Sequence, residues 1–495
     1  MGAPGMTLAT RRRRDVLVPC LLVLGLVGCT GGDAGGAHAP GDDGPLAGLD
    51  ADLSEIIPPL LEAYDVPGTA IGILEGGEVW RELPFGMANL ETGRAVDTGT
   101  AFNIGSISKT VAAWGVMRLV ERGELDLDAP VETYLTRWHL PESEFSHDGV
   151  TIRRLLSHTA GLSLHGYPGF EPGDELPTVE ESLSGATNGP GAVFVAHEPG
   201  SKWQYSGGGY TLAQLIVEEV TGRTFAEYMD AEVLGPLGMH DSSYPWDADV
   251  DRIAAQPYGS GGEPIPGPRF TAMAAASLKT TLHDFLRFAR ASLGTLDEPA
   301  GTGGVLSMET LQLMQTAVPP SNDYGLGYSV SETDGIQFAG HGGANDGWMA
   351  QLEVTPNNGH GLVVMTNGSN GGVIIRAVRC EWKERITGTP CENPVEIPAV
   401  VPAEQLERYV GRYQFEVDPD VILPRKEFVT LTLEGDRLMA ELPVGGRYRL
   451  MPREGSEFFL SVAPVTIEFE TDESGAVTAM VVQEPDEETR AVKIE

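Results

Sequence analysis

The chain has 495 residues, 41% hydrophobic and 21% charged, which suits a globular fold with a large core and exceeds one average domain. Its 71 acidic residues against 33 Lys and Arg give a formal net charge of -38. So acidic a surface repels phosphate backbones and anionic head groups, and no nucleic-acid partner is expected.

The N-terminus reads as a targeting device. Four arginines, Arg11 to Arg14, precede an apolar run from Val16 to Gly28 that only Pro19 and Cys20 interrupt. The run is too short to span a bilayer and has the length of a signal-peptide core. It ends in Leu26-Val27-Gly28-Cys29, which resembles the bacterial lipobox and implies lipidation of Cys29 as the first mature residue. Arg13-Arg14-Asp15-Val16-Leu17 also resembles a twin-arginine export signal. The expectation is a signal peptide over 1–28, then a lipidated cysteine and a flexible tether rich in Gly, Ala, Asp and Pro over 29–48. Such a protein is exported and held on a membrane through its lipid, facing the periplasm or the cell exterior.

Beyond the tether, Thr69 to Leu74 and Glu78 to Trp80 flank Glu75-Gly76-Gly77 as a β-hairpin, and Glu82 to Asn89 is a further extended stretch. Ser106-Ile107-Ser108-Lys109 follows. Residues three apart share a helix face, so Lys109 can reach the Ser106 hydroxyl. A serine hydroxyl is a poor nucleophile until an adjacent base takes its proton. Thr110 to Arg122 is apolar on almost every side, which predicts a helix through the domain interior, stopped at Gly123. A lysine at the mouth of such a helix loses solvation, and its pKa falls toward the range of a base.

From there to about Leu293 helical patterns and loops dominate, with helices predicted over Leu212 to Val220 and Thr224 to Leu234. Pro199-Gly200-Ser201-Lys202-Trp203-Gln204-Tyr205-Ser206 puts a tyrosine just ahead of the first of these. Strands return at Tyr324 to Ser331, Ala350 to Val354 and Gly361 to Thr366. His341-Gly342-Gly343 falls where a strand should run, its glycines leaving room for a second backbone. Strands at both ends with helices between them predict one α/β unit over 49–395, its sheet closed by its two termini. Cys380 and Cys391 either close a local disulfide or stay reduced, and no metal-site spacing accompanies them. After a composition shift at Pro398 to Pro402, period-two alternation through Val429, Leu431, Leu433 and through Ile467, Phe469 predicts a small antiparallel β domain over 400–495.

Taken alone, S-x-x-K is a weak motif. With Tyr205 and His341-Gly342-Gly343 downstream in that order, the chain resembles the serine β-lactamase and penicillin-binding-protein superfamily. The likeness is closest to the branch of class C β-lactamases, D-alanyl-D-alanine carboxypeptidases and related esterases. Phe102-Asn103-Ile104-Gly105, Leu155-Leu156-Ser157-His158-Thr159-Ala160-Gly161-Leu162, Pro236-Leu237-Gly238-Met239 and Gly340-His341-Gly342-Gly343 agree, so it covers roughly 50 to 390. The resemblance implies an α/β (α+β) β-lactamase-like fold, an antiparallel sheet flanked by helices with an all-helical insertion. The C-terminal part resembles the small β-barrel appended to some members.

The resemblance also implies roles. Ser106 would be the acylated nucleophile and Lys109 its deprotonating partner. Tyr205 would share the base role and pass a proton to the leaving group, and His341 would help hold substrate and tune the proton network. The strand glycines Gly342 and Gly343 would lead to an oxyanion hole made by the backbone amides of Ser106 and Ala344. No metal or organic cofactor is implied. His158 is expected to stabilise a loop. Two departures matter: Gly207, where β-lactam-opening relatives carry an asparagine that touches substrate, and Ala276-Ser277, where many relatives have two glycines. Both favour an esterase or a peptidase over a β-lactamase. The absence of a G-x-S-x-G elbow argues against an α/β-hydrolase, and Ser108 where a P-loop needs glycine argues against nucleotide binding. The expected function is serine hydrolysis of a small ester or amide (a D-amino peptide, an ester or a β-lactam). The competing expectation is a lipoprotein that binds penicillin or cell-wall peptide, is acylated and does not turn over.

Overall fold

The computed structural model describes residues 44–494 apart from 246–247, 297–301, 393, 417–427, 442–446, 454, 461–464 and 485–486. The signal-peptide region, Cys29 and the tether up to residue 43 lie outside the described residues. The last stretch of the expected tether is not loose chain. Leu46 is fully buried and packs in one cluster with Leu49, Leu53 and Ile57 of helix α1 (Leu49–Ala63). Burying a leucine contributes roughly 1.5–3 kcal/mol, enough to hold this segment on the fold. Helix α1 escaped the sequence reading because Pro58 and Pro59 sit inside it and mimic a break.

The main sheet uses β1 (Gly68–Glu75), β2 (Glu78–Asn89), β3 (Arg94–Ala95), β6 (Ser329–Thr333), β7 (Ile336–Asn345), β8 (Trp348–Thr355) and β9 (His360–Thr366). A separate two-stranded ribbon pairs β4 (Ala101–Asn103) with β5 (Lys279–Thr281). The sheet order is β3-β2-β1-β9-β8-β7-β6, antiparallel throughout, and the predicted closure by the two chain ends occurs where β1 pairs with β9. Gly76 and Gly77 form the β1–β2 turn with φ of 60° and 82°, the left-handed pair that a type I′ hairpin requires. Glu82 to Asn89 is no separate strand but the continuation of β2, past a bulge at Trp80 opposite Ile73 and Leu74. The strand expected from Tyr324 begins only at Ser329, because Gly327 turns at φ 85° and presses on Ala113.

Alternate side chains of the central strands feed two cores. Ala70, Leu74, Val363 and Met365 face the core built around helix α2 (Ile107–Glu121), helix α3 (Gly207–Thr221) and helix α4 (Leu282–Leu293). Ile71, Ile73, Leu362 and Val364 face α1 and helix α5 (Gly372–Thr387). The β4–β5 ribbon brackets the helical insertion, and its three-residue strands are too short to show a period. A disulfide joins Cys380 on α5 to Cys391.

The C-terminal part is a closed barrel of β10 (Gly411–Phe415), β11 (Phe428–Glu434), β12 (Arg437–Glu441), β13 (Arg447–Pro452), β14 (Glu457–Phe459), β15 (Thr466–Thr471), β16 (Val477–Glu484) and β17 (Glu487–Lys493). Strand β10 pairs with both β11 and β17, which removes free edges. The barrel seats Met451 and Phe459 in the α1–α5 core, and Arg437 and Arg449 both pair with Asp65. Its face on the α1–α5 layer is therefore both apolar and ionic.

Candidate active site

Helix α2 starts at the inner end of β4 and is buried from Ile107 to Met117. Ser106 occupies the position just before its first residue, and Gly105 turns the chain into it at φ 52°. Strand β7 is pressed against this corner. A Cβ on Gly105 would fall 2.6 Å from the Ala344 backbone nitrogen, and one on Gly343 would fall 1.9 Å from the Ile104 carbonyl oxygen. Glycine at both points lets the two backbones meet, which puts Ala344 beside Ser106. Gly343→Ala is expected to cost about 1–3 kcal/mol of stability by overpacking. The same change should lower activity more than tenfold, a loss read by comparing turnover with the thermal midpoint.

Nζ of Lys109 hydrogen-bonds Oγ of Ser106 at 3.1 Å and the Ala275 carbonyl at 2.7 Å. Lys109 is almost fully buried, and burial alone pulls its pKa down to about 7. The ammonium and the free amine are then both populated near neutral pH. Nζ also stands 4.9 Å from the centre of the Tyr205 ring.

Tyr205 precedes α3, which begins at Gly207 rather than at Leu212 because Ser206 caps it, its Oγ accepting the Gly209 N–H at 3.0 Å. Burial drives the Tyr205 pKa well up, and Ser106 offsets part of that rise. No hydrogen bond closes on the Tyr205 hydroxyl, so a buried donor stands next to the serine without a partner. His341, on β7, has its ring centre 6.1 Å from that of Tyr205. Its Nδ1 donates to the Gly342 carbonyl at 2.5 Å, a geometry that leaves Nε2 as a buried acceptor with no partner. Burial first, and the Lys109 charge second, lower the His341 pKa to about 4, so the ring is neutral.

The structure thus gathers Ser106, Lys109, Tyr205, His341 and Ala344 at one corner. It places Gly207 nearby but covered: its N–H donates to the His165 carbonyl at 2.9 Å, and a Cβ there would stand 3.0 Å from that oxygen and 3.4 Å from the Tyr167 ring. A side chain at 207 would have to push this segment away.

Several contributors escaped the sequence reading of the site. Oδ1 of Asn103 accepts from the Gly105 N–H at 2.9 Å and from Nδ2 of Asn345 at 2.7 Å. Both asparagines also donate to the Ala276 carbonyl. The pair ties β4, β7 and the turn that holds Lys109 into one frame. Asn103 stood in plain view in Phe102-Asn103-Ile104-Gly105, but nothing in the sequence pairs it with a residue 242 positions on. Beside Ala344 a cavity of about 260 Å³ is lined by Tyr167, Pro168, Asn345, Asp346, Met349 and Ser369.

A corner that joins a hydroxyl, a desolvated amine, a phenol and backbone amides suits acyl transfer. A family model described as Beta-lactamase matches residues 53–377, and one described as a domain of unknown function, DUF3471, matches 396–495. Penicillin-binding protein 4 of Amycolatopsis lactamdurans is 31% identical over 320 residues, 62% of this chain and 82% of that protein. Esterase EstB of Burkholderia gladioli is 34% identical over 231 residues, 44% of this chain and 57% of that protein. Among solved structures, the octameric penicillin-binding protein homologue from Pyrococcus abyssi shares the fold with a TM-score of 0.60 at 23% identity, covering 90% of this chain and 99% of that one.

Proposed function

The chain belongs to the β-lactamase family and is a serine hydrolase, and from that premise we propose that it is an exported enzyme cleaving a small ester or amide through an acyl-enzyme on Ser106. The observation that carries this reading is the 3.1 Å contact between the buried Lys109 amine and the Ser106 hydroxyl. In its free-base form the amine takes the Ser106 proton as Oγ attacks the substrate's carbonyl carbon. Negative charge then develops on the carbonyl oxygen, toward the backbone amides of Ser106 and Ala344. Tyr205 delivers a proton to the leaving alcohol or amine as the bond to carbon breaks. Water, deprotonated by the same pair, hydrolyses the ester on Ser106 and returns the hydroxyl.

His341 works in this scheme as a neutral ring whose buried Nε2, without a partner in the resting site, is free to accept a hydrogen bond during turnover. The cavity beside Ala344 suits a small acyl group rather than an extended chain. The covered Gly207 supplies no side-chain amide to a substrate acylamide, which favours simple esters over β-lactams. The test compares nitrocefin, a D-Ala-D-Ala peptide and p-nitrophenyl esters, each with mass spectrometry of the protein. Steady ester turnover with an adduct on Ser106 is the expected result. An adduct elsewhere overturns the assignment, and a stable stoichiometric adduct without turnover would make the protein a receptor instead.

Tyr205→Phe is expected to lower kcat by about 10²–10⁴, the range of general acid–base catalysis. Its fold should persist, because the hydroxyl it removes has no hydrogen-bond partner. An unchanged rate would take Tyr205 out of the mechanism. Export and lipid anchoring rest on Arg11 to Arg14, the apolar run and Leu26-Val27-Gly28-Cys29. Palmitate labelling of expressing bacteria should mark the wild type and spare Cys29→Ser, and equal labelling of the two would discard the anchor.

A further inference from the structure

His158 holds the segment carrying Tyr205 at three consecutive residues. Its carbonyl accepts the Gln204 N–H at 2.8 Å, and its Nδ1 accepts the Ser206 N–H at 3.1 Å. Between these two ties its ring lies against Tyr205 itself, with centres 4.2 Å apart and planes tilted by 36°. The backbone at His158 is left-handed, with φ 58°, which aims carbonyl and ring at the same stretch of chain. Because Nδ1 accepts a backbone N–H, the ring's own proton resides on Nε2. That nitrogen is buried and finds no hydrogen-bond partner, with the rings of Tyr210 and Tyr324 centred 5.3 and 4.9 Å away.

A loop clamp alone would not need this ring. The oxygen of an asparagine occupies the place of Nδ1 and tolerates positive φ, so it would keep the tie to Ser206 without a ring. We propose that His158 is a positioning residue for Tyr205: its ring forms the floor that fixes the phenol's angle toward Ser106, while its two backbone ties fix the phenol's height. The inference rests on the reading of Tyr205 as the proton carrier. His158 does this only as neutral imidazole, since a proton on Nδ1 would oppose the Ser206 N–H. Burial, followed by the charge of Lys109, holds its pKa far below the ordinary value, and the surrounding Tyr205, Tyr210 and Tyr324 are uncharged phenols.

The test measures kcat, KM and thermal midpoint of the full chain on a p-nitrophenyl ester for His158→Ala, His158→Asn, Tyr205→Phe and the double variant His158→Asn with Tyr205→Phe. His158→Asn keeps the tie to Ser206 and removes only the floor, so it is expected to fold, hold KM within about twofold and lose tenfold or more in kcat, with His158→Ala slower still. The double variant should be no slower than Tyr205→Phe alone, because a residue that acts through the phenol has nothing left to position. Wild-type kcat in His158→Asn beside a slow Tyr205→Phe overturns the proposal and leaves the Tyr205 reading intact. Losses that multiply in the double variant, or a His158→Asn chain that does not fold, also overturn it by making His158 merely structural. A Tyr205→Phe enzyme with undiminished kcat removes the Tyr205 reading, and the proposal falls with it.

Discussion

Ser106→Ala is expected to abolish covalent labelling and lower kcat by on the order of 10⁴–10⁶, the scale set by removing a hydrolase nucleophile. The physical case rests on what the substitution leaves behind. The Ser106 hydroxyl touches the Lys109 amine, which keeps its second bond to the Ala275 carbonyl when Oγ is gone. The Lys109 amine, the glycine contacts with β7 and the Asn103–Asn345 frame all survive, so the loss reports chemistry rather than unfolding. Intact-protein mass after exposure to an acylating ester is the direct measurement. A variant that is labelled as fast as the wild type would place the nucleophile elsewhere.

Lys109→Met should produce two effects of opposite sign. Turnover should fall by about 10²–10⁴, as for loss of a general base. Stability should rise. Burial holds the folded pKa at about 7 against 10.5 for the exposed amine, so between those pH values the unfolded chain binds a proton that the folded chain does not. Wild-type stability therefore climbs with pH across that window, and the full cost of the buried ammonium is present below it. Methionine carries no charge and avoids that cost, less the loss of the Ala275 contact. A gain on the order of 2–4 kcal/mol at pH 6 is expected, shrinking toward zero by pH 10. Denaturant midpoints at several pH values read it directly. In the proposed mechanism the free amine is the working base, so kcat/KM should rise with pH through about 7 and then level off. A flat profile from pH 5 to 9 would exclude Lys109 as the titrating base.

Much of this site was legible in one dimension because its chemistry is local or punctuated by glycine. Ser106 and Lys109 are one helical turn apart, and the apolar stretch behind them could only be interior, which already implied a depressed amine pKa. The glycines after His341 announced a close backbone approach, and Gly343 makes one against Ile104. In the C-terminal part, period-two alternations flanking the turns at Glu434-Gly435-Asp436 and Ser474-Gly475 exposed part of the barrel. Elements without a period were lost: β4 and β5 have three residues each, and the prolines of α1 concealed a helix with a buried stripe.

Sequence alone set Ser106 and Lys109 on one helix face and separated the barrel from the main fold, because helix periodicity, strand alternation and glycine punctuation act between near neighbours; Tyr205 and His341 were linked to them only by the family resemblance. Only the tertiary structure decided which distant groups share the corner. The Asn103–Asn345 bond, the cover of residues 165–167 over Gly207 and the clamp of His158 on Tyr205 each join segments that touch only after the chain has packed. Such contacts are selected by the shape and polarity of a finished interior, where a buried donor must find a partner or go without, and no spacing along the chain records that choice.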